Sequence, residues 1–167
     1  NERVKAINDY EALENKVDLL VKMHLNKAVV REVAMELNSS FREAFFALYF
    51  KEKRFVSEER LIAAIEGIKK SKILGATDSV LKYRSGILLI LTFDKLEPEA
   101  YRKKVSYFLQ AASLPRGEYT AGVGNLHAGS RTGLSELGLG VSESLFAERT
   151  AEVTGQPLCH FRETGIY

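Results

Sequence analysis

Three histidines, one cysteine, a glycine-rich run and a few scattered acids and bases are the residues whose types could do chemistry here. His24, His127 and His160 lie far apart and share no ligand spacing, so they predict no metal site. Cys159 and His160 are neighbours in a segment that reads as a strand, where successive side chains point to opposite faces. They predict no nucleophile–base pair, and Cys159 reads as a small buried apolar residue. The run from Gly122 to Gly140 has the glycine content of a phosphate-cradling loop but lacks a Gly-Lys-Ser/Thr ending. Gly122-Val123-Gly124 also lacks the third glycine of a dinucleotide fingerprint, so the run is expected to be a flexible loop. Asp78, Arg84 and the basic run Arg102-Lys103-Lys104 are the other charged groups close to one short stretch of the chain. Their ordinary readings are a turn or cap residue for Asp78 and a solvated helix face for Arg102-Lys103-Lys104.

These residues flank one hairpin. Ser79 to Phe93 reads as two extended segments meeting at Arg84-Ser85-Gly86, with Gly86 expected to supply the permissive turn backbone. Ile87 to Phe93 is the most β-prone run in the chain, and so short an apolar run fits a strand buried on both faces. A hairpin of this kind can present catalytic acids at its tip. This tip presents none.

The remaining elements follow from periodicity and punctuation. Residues 2 to about 37 are expected to be helical, with Tyr10, Leu13, Val17, Leu20 and His24 on one seam. That seam suits either a dimerising coiled coil or an amphipathic helix packed on its own domain. Phe41 to Phe50 predicts a first strand, and Lys51-Glu52-Lys53-Arg54 a solvated turn. Ser57 is the expected N-cap of a helix carrying Leu61, Ile62, Ile65 and Ile68, with Gly75 as its stop. A helix from Pro98 with Val105 and Phe108 in its buried stripe, a strand at 118–123, a helix capped by Ser142 and a strand at 158–161 complete the order. The fold class is therefore α+β, its interior β-α-β-β-α-β order being that of a ferredoxin-like sheet with helices on one face, preceded by an N-terminal helix and followed by an extra helix and strand. Residues 1–37 are expected to form the helix and 41–167 the domain.

Composition narrows the field. At 167 residues with 46% apolar side chains the chain can bury a core, and a formal charge of +2 predicts neither nucleic-acid nor membrane binding. A single cysteine fits a reducing, cytoplasmic setting. A start at Asn1 and an end at Tyr167 suggest a piece of something longer.

In order and spacing, residues 41–163 resemble the GGDEF family of diguanylate cyclases. The family's Asp-x-x-x-x-Tyr-Gly-Gly-Asp-Glu-Phe aligns with Asp78-Ser79-Val80-Leu81-Lys82-Tyr83-Arg84-Ser85-Gly86-Ile87-Leu88. Its later Thr-Val-Ser-Ile-Gly strand aligns with Thr120-Ala121-Gly122-Val123-Gly124, and its late helix with Ser144-Leu145-Phe146 followed by Gly155. The signature is degenerate: Gly86 and Ile87 stand where the two acids would be, and the matched first strand, Phe45 to Phe50, has no acid. Apolar side chains cannot ligate the hard divalent cation that phosphoryl transfer requires. The resemblance therefore implies a domain that is not an enzyme, has no cofactor and acts in signal sensing, transmission or dimerisation.

The family's product site, Arg-x-x-Asp, aligns with Gly75-Ala76-Thr77-Asp78, keeping the acid and losing the arginine. Cyclic di-GMP bound through Asp78 with help from Arg84, Arg102 and Lys103 is what the resemblance implies, with exopolysaccharide or biofilm control as the output. A homodimer through the N-terminal helix and a protein partner are the other expected contacts. The shortened first loop and Phe161-Arg162-Glu163-Thr164-Gly165-Ile166-Tyr167 also resemble the GGDEF-like domain of purine-catabolism and sugar-diacid transcription regulators, where a helix-turn-helix follows.

Overall fold

In the computed structural model, residues 2–37, 44–94, 99, 102–106, 118–128 and 133–165 are described. Helix α1 (Glu2–Lys22) and helix α2 (Lys27–Leu37) lead into strand β1 (Ala44–Glu52) and helix α3 (Glu58–Lys70). The hairpin strands β2 (Ser79–Tyr83) and β3 (Gly86–Phe93) follow, then a helical stretch at 102–106, β4 (Tyr119–Val123) and β5 (His127–Ala128). A 3-10 turn (Gly133–Glu136), helix α4 (Leu137–Thr154), β6 (Leu158–His160) and a second 3-10 turn (Phe161–Thr164) complete the chain.

The strands form one six-stranded open sheet of order β2-β3-β1-β4-β6, with β5 pairing β1. Pairing is antiparallel except between β4 and β6. The fold is thus mixed α+β.

Helices cover both faces of the sheet, not the one face expected from the element order. Phe46, Leu48 and Phe50 of β1 join Ile87, Leu89 and Leu91 of β3 in a core under α3 and Val105. The alternate residues Phe45, Ala47, Tyr49, Leu88 and Ile90 form a second core with α2, Leu137 and Val141. The cause is in the strands themselves: a run apolar at every position needs cover on both sides. Each large side chain buried this way stabilises the fold by about 1.5–3 kcal/mol.

Several local expectations change. The single helix over 2–37 is broken at Met23–Asn26, where Asn26 Oδ1 accepts the Val29 N–H at 3.3 Å and starts α2 afresh. The first strand runs on through Lys51 and Glu52, so this strand does carry an acid. Its pairing explains the extension: Lys51 and Glu52 sit opposite Thr120 and Tyr119 of β4. Ser57 caps α3 as expected, accepting the Arg60 N–H at 3.2 Å. The helix stops at Lys70, before Gly75, with the left-handed backbone taken by Lys72 at φ 61°. Ser142 lies inside α4 and donates to the Gly138 carbonyl, because that helix starts at Leu137. Of the other expectations, Phe41, Pro98 and Phe108 lie outside the described residues.

The glycines of the 122–140 run pack the last helix against the sheet. A Cβ on Gly122 would lie 2.8 Å from the Ala147 carbonyl carbon, and one on Gly140 would lie 3.0 Å from the Phe45 ring. The described part of the run is thus β4, β5, a 3-10 turn and the first turn of α4, not a flexible loop.

Helix α1 joins the two cores. Tyr10 and Leu13 pack in the α3-side core, while Val17 and Leu20 pack in the other. A helix that touches both faces passes the outer edge of the sheet, and that edge is β2. Its apolar seam is spent on its own domain: Tyr10 is 5% exposed, and Val17 and Leu20 are fully buried.

Candidate functional site

The hairpin tip is built from contacts that leave no room for an acid. A Cβ on Gly86 would lie 2.5 Å from Tyr49 Cζ and 2.7 Å from the Phe50 carbonyl oxygen, far inside contact distance. The Tyr49 hydroxyl donates to the Tyr83 carbonyl at 3.0 Å, locking β1 to the hairpin end. Burial, foremost, raises the Tyr49 pKa, so the hydroxyl stays a donor. The expectation that Gly86 relaxes the turn is corrected: the left-handed residue is Arg84 at φ 53°, and Gly86 is required by the close approach of β1. Ile87 is 3% exposed and belongs to the α3-side core.

Three polar ties fix this tip to α1. Lys82, 7% exposed, donates to Glu14 Oε1 and lies 3.5 Å from Glu58 of α3. Glu14 Oε2 accepts the Arg84 backbone N–H at 3.1 Å. The Tyr83 hydroxyl donates to Asp18 Oδ1 at 2.8 Å, and Lys22 pairs with Asp18 at 2.7 Å. Hydrogen bonds from Lys22 and Tyr83 lower the Asp18 pKa, while burial and then the Asp18 bond push Tyr83 up to about 12. Glu14 and Asp18 are one helical turn apart, which is why both face the hairpin.

The four ligand-binding candidates are not brought together. Asp78 sits at the opposite end of β2 from Arg84, roughly 15–20 Å along the strand. Its carboxylate is 2% exposed and fully engaged. Oδ1 accepts the Thr92 N–H at 2.8 Å and Lys104 Nζ at 3.2 Å, while Oδ2 accepts the Gly75 N–H at 2.8 Å. Arg84 is exposed, with its guanidinium 5.1 Å from the Tyr83 ring centre. Arg102 pairs with Glu99 at 3.4 Å on the surface, and Lys103 is exposed. Lys104, expected on a solvated face, turns inward to Asp78 and to the Thr92 carbonyl at 2.5 Å.

A cavity of about 370 Å³ lies between the ends of β1, β3 and β4 and the start of α3. Phe50, Val56, Leu61 and Ile87 form its apolar wall. Glu52, Arg60 and Tyr119 are its polar side. Glu52 Oε1 accepts the Tyr119 hydroxyl at 2.8 Å, and Arg60 Nη2 lies 3.7 Å away, too far for a hydrogen bond. Glu52 Oε2 is buried and has no hydrogen-bond partner among the described residues. Burial, then the bond to Glu52, pushes Tyr119 up to about 12, which keeps it a donor to the carboxylate. This site escapes sequence reading because Glu52 is read with a solvated turn. The signal that could find it is the two-residue alternation of β1 continued past Phe50.

A second polar cluster joins β5 to α4. His127 Nδ1 lies 2.9 Å from Glu136 Oε2 and Nε2 lies 2.6 Å from Glu143 Oε1, with the ring stacked on Phe45 at 5.5 Å. Two carboxylates on one imidazole require both ring nitrogens to carry protons. Burial opposes that charge, and the bonds to Glu143 and Glu136 outweigh it, so the His127 pKa is raised. Nearby, burial and a hydrogen bond with Glu152 raise Glu148 to about 7, and Thr120 Oγ1 lies 3.1 Å from its Oε2.

Among the described residues no group of three or more His, Cys, Asp or Glu is arranged to hold a metal ion. Among the same residues no helix is long and apolar enough to cross a membrane. Comparison with family models and with curated proteins gives no match to this chain.

Proposed function

We propose that this chain is a non-catalytic, GGDEF-like regulatory module in which the hairpin and the N-terminal helix move as one unit. The observation that carries the reading is the contact between Gly86 and Tyr49. At the place where the aligned family signature has an acid, even a Cβ meets the Tyr49 ring. The adjacent position, Ile87, is a core residue. The ties from Glu14 and Asp18 to Lys82, Tyr83 and Arg84 join that hairpin to α1. The order β2-β3-β1-β4 with antiparallel neighbours supports the ferredoxin-like form of the reading, because a β-α-β-β-α-β chain forms its sheet in that order.

Incubation with GTP and magnesium tests the reading: no product is expected, and measurable turnover overturns it. Cyclic di-GMP is the ligand the family resemblance implies, with exopolysaccharide or biofilm control as the output. Calorimetry tests it, and the absence of heat at high micromolar ligand removes the receptor role while leaving the scaffold role.

A second reading, the interaction domain of a transcription regulator, is favoured by the short link at 53–57 between β1 and α3. A gene encoding a helix-turn-helix directly after Tyr167 supports it, and a stop codon there removes it.

A further inference from the structure

We propose that His127, Glu136 and Glu143 form a proton-operated latch on helix α2, and that it opens at Glu136, not at Glu143, when the imidazole ring gives up one proton. The latch stands apart from the hairpin, so it holds whether or not the chain is a GGDEF-like module.

The ring has two nitrogens and two carboxylates to serve. Nδ1 lies 2.9 Å from Glu136 Oε2, and Nε2 lies 2.6 Å from Glu143 Oε1. An imidazolium donates to both, whereas a neutral imidazole has one N–H and donates to one. At the other contact a bare ring nitrogen then faces a carboxylate oxygen. Two acceptors with no proton between them do not hold, and that contact opens.

What else holds each carboxylate decides which contact is lost. The Glu143 side chain is 5% exposed, and Asn125 donates to it twice, from its backbone N–H to Oε1 and from Nδ2 to Oε2, both at 3.2 Å. Stripping a donor from so buried a carboxylate is costly. Glu136 sits where the 3-10 turn meets α4, and its side chain is 38% exposed, so water can take over from the ring. The remaining proton therefore stays on Nε2, toward Glu143. The ring itself stays docked, stacked on Phe45 and so close to α4 that a Cβ on Gly140 would lie 3.3 Å from its Cδ2.

The other charged and titratable groups of the surrounding elements are engaged elsewhere or exposed. Lys51 and Glu52 lie at the far end of β1 from Phe45. Lys27, Arg31, Glu32 and Glu36 of α2 are exposed, and His24 is turned to the Val21 carbonyl at 2.9 Å. Glu148 of α4 faces Thr120. The turn that ends in Glu136 packs on α2, and Leu137 beside it shares a core with Val30, Val33 and Ala34. Freeing Glu136 loosens that packing. Burial lowers the ring's pKa, but the contacts to Glu143 and Glu136 outweigh it and hold it above 6.5, so opening comes as pH rises beyond that value.

The test is a pH titration of the whole chain by NMR, reading the His127 ring nitrogens and the hydrogen-exchange protection of backbone amides. As His127 deprotonates, the Nε2–H tautomer is expected. Protection at Val33, Ala34 and Leu137 is expected to fall at least about threefold relative to Leu61 and Ile65 of α3. Glu136→Gln, whose amide can accept from the charged ring or donate to the neutral one, is expected to abolish that fall, and Glu148→Gln to keep it. The Nδ1–H tautomer, a fall shared equally by α3, or a fall that survives Glu136→Gln overturns the proposal. If a variant fails to fold, the tautomer and the protection ratio of the unaltered chain decide alone.

Discussion

The ring of Tyr49 occupies the space that any side chain at position 86 would need: a Cβ there would lie 2.5 Å from Cζ. Gly86→Ala is therefore expected to destabilise the fold by about 1–3 kcal/mol, the usual cost of forcing atoms into a packed core, and Gly86→Asp by more. Urea unfolding followed by fluorescence checks this. A Gly86→Ala midpoint equal to that of the unaltered chain would mean that β1 and the hairpin do not meet as described.

Glu14 and Lys82 form a largely buried pair, with side chains 24% and 9% exposed. Breaking such a pair from one side leaves the other charge short of a partner. A double-mutant cycle with Glu14→Gln and Lys82→Met is expected to return a coupling of about 0.5–2 kcal/mol, because the residues are in contact. Single Glu14→Gln should also speed hydrogen exchange of the Arg84 amide, which donates to Glu14 Oε2. A coupling of zero would detach α1 from the hairpin and remove the transmission route.

Asp78 is a structural residue by its contacts. Asp78→Ala removes acceptors for Thr92, Gly75 and Lys104 together and is expected to cost about 2–3 kcal/mol. Faster exchange of the Thr92 amide, measured by NMR, is the specific sign. Unchanged stability would return Asp78 to the surface and reopen it as a ligand contact.

Stability is expected to decline as pH rises through the neutral range. His127 has its folded pKa raised above 6.5, so its contribution is whole below that value and is lost as pH climbs through the folded pKa. Glu148, raised from 4.5 to about 7, adds a loss in the same direction, complete above about pH 7. His160 opposes both: burial lowers its pKa, so its contribution is present above 6.5 and lost as pH falls. His127→Gln should flatten the decline above about pH 6.5, as measured by thermal unfolding at a series of pH values from below that point upward. A pH profile identical to that of the unaltered chain would mean His127 is not held as the imidazolium.

Much of the framework was legible because it rests on local signals. The apolar runs of β1 and β3 and the Ser57 cap each sit where short-range chemistry puts them. The break at Met23–Asn26 is masked in the sequence because the apolar spacing runs across it, and its one local signal is Asn26, whose side chain caps the start of α2. A glycine in a hairpin reads as a turn residue, but Gly86 is required by a tyrosine 37 positions earlier in the chain. The resemblance puts Arg84 and Asp78 at one ligand, yet they flank opposite ends of β2 and an extended backbone separates them. Glu52 was hidden by three charged neighbours that read as solvent-facing, whereas the β1–β4 pairing turns it beneath Tyr119.

The passage of α1 along β2 has a bearing on how the protein is made. A sheet edge left open is a template for pairing with another chain. The helix that shields this edge precedes β2 in the sequence, so during synthesis it leaves the ribosome first. The hairpin emerges with its shield already present, and the lysine it carries inward at position 82 finds Glu14 waiting. Of the two outer strands in the principal order, only the three residues of β6 lie away from α1. A chain shortened to begin after α2 should therefore self-associate through β2 before it loses its secondary structure.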